Sequence, residues 1–204
     1  MQSSQSTIQK SNRKKLVIVL LIFILPAMLA SFMFFTGWRP LNTVNHGELI
    51  VPAKPVEDRE MQLLDDKAVK LSSFFGKWTM VYFDSSACDD ECNKQLYFMR
   101  QTHRSHGKDF ARIQRIFVLT DTASIASLKH KLEDYPDMLV LKADQAIISK
   151  LRKDFDIDEQ SEEQKRNIYF VDPLGNLMMR YRPGVKPADM RKDLERLLKY
   201  SSEK

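Results

Sequence analysis

The sequence lacks a basic excess over most of its length, although the pI of the whole chain is about 9.1. Four of the 32 Lys and Arg residues lie within residues 1–15, which leaves 28 basic residues against 27 Asp and Glu residues. A domain that is so nearly neutral does not attract phosphate backbones over its surface, and this excludes a nucleic-acid partner of the usual basic kind. The chain also lacks internal repeats and low-complexity tracts, and its 204 residues provide for one domain and an appendage.

Charge is absent altogether from residues 16–37, which read LVIVLLIFILPAMLASFMFFTG. A helix of this length would be about 33 Å long, close to the ~30 Å hydrocarbon core of a bilayer. Pro26 is tolerated in a membrane helix, and Trp38 follows at the expected interface. The preceding arm, residues 1–15, lacks acidic residues and carries Lys10, Arg13, Lys14 and Lys15. This asymmetry predicts a single-pass membrane protein with a cytoplasmic N-terminus and a domain on the non-cytoplasmic side. We expect the membrane to be a bacterial inner membrane and the domain to be periplasmic.

Two other interpretations of the N-terminal segment stay open. A cleaved signal peptide has an apolar region of about 7–15 residues and a small-x-small cleavage site. The run here is longer, and Met28-Leu29-Ala30 is a poor cleavage site. The basic, Ser-rich arm also resembles a short mitochondrial presequence. We prefer a retained membrane anchor.

Beyond the span, the pattern predicts an extended tether over residues 38–58, which has three prolines and later packs onto the domain, and one α/β domain over residues 59–204. Strand patterns and helix patterns alternate in this domain. The predicted strands are 61–71 (two short strands), 78–83, 113–119, 138–143, 167–171 and 176–181, and the predicted helices are 89–106, 123–133, 144–155 and 187 onward. This order predicts an α/β sandwich with parallel central strands and a final antiparallel hairpin.

Cysteine is scarce as well, since the chain has only Cys88 and Cys92, in the segment SSACDDECN. The pair follows the strand predicted at 78–83, at the carboxyl edge where open α/β sheets place their sites. On an ideal helix the two Cβ atoms would be about 5–6 Å apart, which is too far for a disulfide. A loop conformation at Cys88 would close this gap. The pair would then open and close as a disulfide, or bind a soft metal through two thiolates.

Three acidic residues, Asp89, Asp90 and Glu91, lie at the start of the same predicted helix, where negative charge is stabilising. They also crowd negative charge around the sulfurs, whereas reactive thiols usually lie in electropositive surroundings. We therefore expect a weaker nucleophile than a thioredoxin-type pair and a site that favours a bound cation. Two plainer interpretations remain, namely acids that only cap the helix and a passive structural disulfide. A loop this short constrains the unfolded chain little, which weakens the second.

With these cysteines, several segments resemble the Sco/SenC family, membrane-anchored factors that assist copper-site assembly in cytochrome c oxidase. The matching segments are Gly76-Lys77-Trp78, Phe83, Cys88 with Asp90 and Cys92, residues 119–122 (LTDT) and residues 168–175 (IYFVDPLG). The resemblance extends over about residues 60–200 plus the anchor. It implies a thioredoxin-like sandwich with N-terminal strand additions. It also implies thiol–disulfide exchange at Cys88 and Cys92, copper binding by these thiols, and an oxidase subunit or another assembly factor as partner.

The sequence departs from this family at the proposed site. Asp89 and Asn93 follow the two cysteines, where the family typically has Pro. The family also carries a copper-ligating His shortly before the final hairpin, and residues 161–166 (SEEQKR) contain none. The chain has four other histidines, His46, His103, His106 and His130. On a continuous helix His103 lies roughly 16 Å beyond Cys92, and only His46, in the tether, is expected to be able to swing over the site.

Three functions therefore compete. The first is an assembly factor of the respiratory chain that acts on a membrane partner by thiol–disulfide exchange, with copper delivery as a further role. The second is a stand-alone thiol peroxidase or reductase, in which Ser85 takes the place of the Thr of peroxiredoxins. The acidic surroundings and the lack of a nearby Arg or Lys argue against it. The third is a non-catalytic binding module that keeps the fold and a residual disulfide.

Overall fold

The computed structural model describes residues 3–36, 45–158, 164 and 166–201, with the backbone alone for residues 3–13. The chain divides into two units, Met1–Val44 and Asn45–Lys204. The first unit contains helix α1, Ser3–Thr36, with Pro26 inside it. Within α1, Lys14–Thr36 is the one segment among the described residues that is long and apolar enough to cross a membrane, with a mean hydropathy of 2.9. The predicted end of the span, Gly37, lies outside the described residues.

The described part of the second unit contains a mixed sheet and four α-helices. The strands are β1 (Glu48–Pro55), β2 (Glu60–Leu63), β3 (Ala68–Lys70), β4 (Trp78–Asp84), β5 (Ile113–Leu119), β6 (Met138–Lys142), β7 (Ile168–Val171) and β8 (Asn176–Tyr181). The helices are α2 (Asp90–Arg104), α3 (Ile125–Leu132), α4 (Gln145–Asp154) and α5 (Pro187–Tyr200). Short 3-10 helices cover Leu71–Phe74 and Gly107–Arg112. From β2 to α5 the order of strands and α-helices agrees with the prediction from sequence.

The eight strands form one sheet in the order β1-β8-β7-β4-β5-β6-β2-β3. β4 pairs in parallel with β5, and β5 pairs in parallel with β6. β7 pairs antiparallel with both β4 and β8. The predicted parallel centre and final antiparallel hairpin are therefore confirmed.

β4 lies at the centre of two hydrophobic layers, and Trp78 through Phe83 are all buried. Its residues Trp78, Met80 and Tyr82 pack on one face of the sheet with side chains from α2, α3 and α5. Val81 and Phe83 pack on the other face with side chains from α4. A continuous apolar strand is what burial on both faces requires, and β4 thus carries the site that follows it.

β1 lies within the segment that was expected to be a tether, residues 38–58. From Glu48 the chain is hydrogen-bonded to β8 and belongs to the sheet. A buried carboxylate fixes the start of this strand, because Asp193 Oδ2 accepts from the backbone N–H groups of His46 (2.8 Å) and Gly47 (3.0 Å). A Cβ at Gly47 would lie 2.5 Å from Met179 Sδ, so only glycine fits this close approach.

Candidate functional site

Cys88 and Cys92 are joined by a disulfide, and both residues are completely buried. Cys92 lies in the first turn of α2, and Cys88 lies in the loop that connects β4 to this helix. The backbone of Cys88 has a φ of 42°, in the left-handed region, and the two Cα atoms are 5.1 Å apart. The loop conformation expected at Cys88 is thus what brings the sulfurs together.

Asp89 caps helix α2 from between the two cysteines. Its Oδ1 atom accepts a hydrogen bond of 2.9 Å from the backbone N–H of Cys92. The guanidinium of Arg166 contacts both carboxylate oxygens of Asp89, at 3.2 Å and 2.7 Å. Arg166 and then the Cys92 N–H hold the pKa of Asp89 below its ordinary value. The capping role considered for the acids is present, and a cation compensates this acid.

The expectation that the cysteines have no Arg or Lys nearby is wrong. Besides Arg166, Lys131 reaches the loop from α3, and its Nζ atom donates to the carbonyl oxygen of Ala87 (3.1 Å) and to that of Cys88. Lys131 is 43 residues from Cys88. The acidic crowding inferred from local sequence is therefore offset by cations that the fold delivers from distant segments.

Asp121 fixes the start of the cysteine loop, residues 85–88. Its Oδ1 atom accepts from both the backbone N–H and the hydroxyl of Ser86. The Ser86 hydroxyl in turn accepts a hydrogen bond of 2.8 Å from the backbone N–H of Ser124. Burial opposes ionisation of Asp121, but these hydrogen bonds outweigh it and its pKa lies below the ordinary value. In the sequence, Asp121 stands out only as part of the segment 119–122 that resembles the Sco/SenC family, and no local pattern indicates its contact with Ser86.

A cleft of about 240 Å³ opens beside the cysteine loop at the carboxyl ends of β4 and β5. It is lined by Phe83, Asp84, Ser85, Thr120, Arg152 and Ile157. Ser85 belongs to the cysteine loop, and its carbonyl oxygen accepts a hydrogen bond of 3.2 Å from the backbone N–H of Cys88. Asp84 accepts a hydrogen bond of 2.6 Å from the hydroxyl of Tyr82, and burial and the Asp84 charge raise the pKa of this tyrosine. The cleft therefore adjoins the cysteine loop at Ser85, while both cysteines are buried.

None of the four histidines joins the cysteines in the described structure. His46 lies 3.7 Å from Asp189 on α5, so the expected swing over the site is not the arrangement observed. His130 is a surface residue, with 85% of its side chain exposed. His103 and His106 are buried.

The buried histidines form a cluster of their own at the other end of α2. Arg115 Nε donates a hydrogen bond of 3.2 Å to His103 Nδ1, and His103 Nε2 lies 3.0 Å from the carbonyl oxygen of Phe110. Burial lowers the pKa of His103. His106 Nδ1 lies 2.7 Å from the carbonyl oxygen of Thr102. A signal in the sequence could have found His103, because positions 92, 96, 99 and 103 share one helical face.

In its oxidised form the cysteine pair offers no copper ligand. In the described parts of the chain, no three side chains of His, Cys, Asp or Glu are grouped so that they could hold a metal ion. The two sulfurs are bonded to each other and offer no thiolate. Of the segment in which the family carries its His, residues 161–163 and 165 lie outside the described residues, and the sequence has no His there.

Comparison with known proteins identifies a family that this chain matches. A family model described as "Transmembrane-like, thioredoxin-like, C-terminal domain" matches residues 78–201. No curated protein matches the chain by sequence.

Solved structures of Sco proteins share the fold. ScoI of Bradyrhizobium japonicum with copper bound is 23% identical, with a TM-score of 0.57 over 70% of this chain and 98% of that chain. Yeast Sco1 with copper bound is 18% identical, with a TM-score of 0.63 over 73% of this chain and 95% of that chain. BsSco, described as having a disulfide switch and as a member of the Sco family of cytochrome c oxidase assembly proteins, is 20% identical, with a TM-score of 0.59 over 74% and 96%. At these identities the likeness shows the fold, and the predicted thioredoxin-like sandwich is confirmed.

Proposed function

The chain belongs to the family of transmembrane-like, thioredoxin-like C-terminal domains, and from this premise we propose that it is a membrane-anchored thiol–disulfide exchange protein that assists cytochrome c oxidase assembly. Cys88 and Cys92 carry the exchange. The observation that supports this most is their disulfide, which lies at the carboxyl end of the central strand, with Cys92 in the first turn of helix α2. Sites of open α/β sheets lie at this edge.

The proposed chemistry is exchange with a pair of cysteines on a partner. A partner thiolate attacks one sulfur of the Cys88–Cys92 bond, which breaks, and the other sulfur leaves as a thiolate and takes up a proton. The second partner thiol then attacks the mixed disulfide. The partner is oxidised by two electrons to a disulfide, and Cys88 and Cys92 become two thiols. The reverse sequence is equally balanced, and the two reduction potentials set the direction.

Access to the sulfurs requires movement of the cysteine loop. Both cysteines are 0% exposed, so an incoming thiolate cannot reach either sulfur in the described conformation. Cys88 belongs to the loop and Cys92 to the helix, and the loop is the part free of regular backbone pairing. We therefore place the opening at residues 85–88.

The anchor and the partner belong to the same proposal. The apolar segment Lys14–Thr36 would hold the domain at the membrane that contains the oxidase. The basic arm before it favours a cytoplasmic N-terminus and a domain on the periplasmic side of a bacterial inner membrane. The partner would be a respiratory oxidase subunit or another assembly factor with a cysteine pair.

Copper enters this proposal only as cargo of the partner. Once reduced, Cys88 and Cys92 would offer two thiolates to a soft cation such as copper(I), and among the described residues no third His, Cys, Asp or Glu is grouped with them. Thiol–disulfide exchange needs the two sulfurs alone. We therefore derive no step in which this chain holds the metal.

One observation favours a second candidate function. The complete burial of both cysteines is what a structural disulfide also requires, and it supports a non-catalytic binding module that docks on an assembly partner. The two functions differ in one outcome, since a binding module works without exchange and forms no mixed disulfide.

Single cysteine variants test the proposed function directly. In the native host, Cys88→Ser or Cys92→Ser leaves one thiol, which we expect to trap a mixed disulfide with the oxidase subunit or assembly factor. The double variant Cys88→Ser/Cys92→Ser is the matched control, because it cannot form one. We also expect the double variant to accumulate normally but to lower oxidase activity several-fold. Normal oxidase activity together with no trapped partner would favour the binding module instead.

A further inference from the structure

Two cations from distant segments contact the cysteine loop and the residue that follows it. Lys131 of α3 donates to the carbonyl oxygens of Ala87 and Cys88. Arg166 pairs with Asp89, the residue that follows Cys88 and caps α2. We name this arrangement of Lys131, Arg166 and Asp89 the loop clamp. Nothing in the exchange chemistry itself requires either cation, so the clamp needs an explanation of its own.

The clamp and the disulfide require the same backbone conformation. Cys88 has a positive φ, which is unfavourable for a residue with a side chain. This conformation directs the successive carbonyl oxygens of Ala87 and Cys88 to one ammonium group. The same conformation brings the Cα atom of Cys88 to 5.1 Å from that of Cys92. Two interactions that share one strained conformation stabilise each other.

Reduction removes one of these two interactions. Once the sulfur–sulfur bond is broken, the clamp and the hydrogen bond from the Cys88 N–H to the Ser85 carbonyl are left to hold Cys88 in the left-handed region, and the loop gains freedom to relax. The carbonyl oxygens would then move away from Lys131. The clamp is therefore complete in the oxidised protein and weakened in the reduced protein, and it favours oxidation by the amount of that difference.

We propose that Lys131 and Arg166 are positioning residues that keep the Cys88–Cys92 disulfide closed and lower its reduction potential. This inference rests on the proposed exchange function, because it describes how that exchange is tuned. Lys131 contributes more, since its hydrogen bond to the Cys88 carbonyl is partly shielded from water, although its hydrogen bond to the Ala87 carbonyl is exposed. Arg166 contributes less, because the side chain of Asp89 is 57% exposed and water screens the pair.

The test is the reduction potential of the full-length protein in detergent micelles, equilibrated in dithiothreitol buffers. Free thiols are trapped with a maleimide, and the reduced fraction is read from the mass of the intact protein by mass spectrometry. We expect Lys131→Gln to favour the reduced form about tenfold, which is about 30 mV for this two-electron couple. Arg166→Gln should favour it about threefold. Lys131→Arg, which keeps a cationic donor, should restore most of the difference.

Lys129→Gln is the matched control, because it removes the same charge from the same helix at an exposed position. A Lys131→Gln protein with the potential of Lys129→Gln would overturn the proposal. Arg166→Gln tests it independently if Lys131→Gln does not fold. The difference between variants measures the clamp whatever the absolute potential is, whereas the trapping of a partner measures the exchange function. The two proposals can therefore fail separately.

Discussion

The two ends of helix α2 use polar groups in opposite ways. At its N-terminus, Asp89 and Arg166 are partly exposed, and their partners come from segments far apart in the chain. At its C-terminus, His103 is buried together with Arg115, and its ring stacks on Phe110 with centroids 3.9 Å apart. The first end surrounds a bond that can break, and the second end surrounds a packed core.

This difference indicates that the C-terminal end of α2 contributes mainly to stability and the N-terminal end mainly to the redox chemistry of the cysteines. A buried charged group that loses its partner costs much stability, whereas an exposed ion pair contributes little. Substitutions at the C-terminal end should therefore change stability and leave redox behaviour alone. Substitutions at the N-terminal end should change the reduction potential and cost less stability.

The largest expected effect is at the buried end. His103→Ala removes the acceptor of Arg115 Nε and the stacking partner of Phe110, and leaves a cavity beside a buried cation. We expect a loss of about 3 kcal/mol in the free energy of unfolding, measured by urea denaturation. The Cys88–Cys92 potential should stay as in the unchanged protein. A loss below about 1 kcal/mol, or a shifted potential, would break the comparison.

A smaller effect at the same end depends on pH. Burial lowers the pKa of His103 in the folded protein, so the unfolded chain binds a proton more readily. The stabilising difference is complete above the unfolded pKa of about 6.5 and is lost as pH falls below it toward the folded pKa. Stability should fall between pH 7 and pH 5 by at most about 1.4 kcal/mol per pH unit. His103→Gln should flatten this slope, and an unchanged slope would assign it to other groups.

The smallest effect is at the N-terminal end. Asp89→Ala removes the cap of α2 and one partner of Arg166. We expect a loss of about 1 kcal/mol in unfolding free energy, typical of a helix cap. Asp89→Asn keeps an acceptor for the Cys92 N–H and should recover most of it. A loss as large as that of His103→Ala would mean that both ends of α2 are structural.

The sequence predicted most of the fold because its signals are local. Strand β4 is a continuous apolar run, and α5 begins at Pro187 as expected. β1 was missed because Pro52 and Pro55 read as a linker, and its place in the sheet depends on β8 and Asp193. Ser124 and Asp144 occupy the N-cap positions of α3 and α4, but neither side chain makes a capping hydrogen bond.

The site was predictable only in part for the same reason. Cys88, Cys92 and the capping acid lie within five residues and show their relation in the sequence. Lys131 and Arg166 lie 43 and 77 residues from their partners, and no local pattern indicates that they meet the cysteine loop. The electrostatics of the sulfurs therefore depend on tertiary contacts, and the local acids alone gave a misleading picture.

The reduction potential of the unchanged full-length protein tests the central claim most directly. If Cys88 and Cys92 exchange with partner thiols, the pair should be half reduced between about −120 and −300 mV, the range of thiol–disulfide exchange proteins. A pair that stays oxidised well below −300 mV would be a structural disulfide, and this would contradict the account.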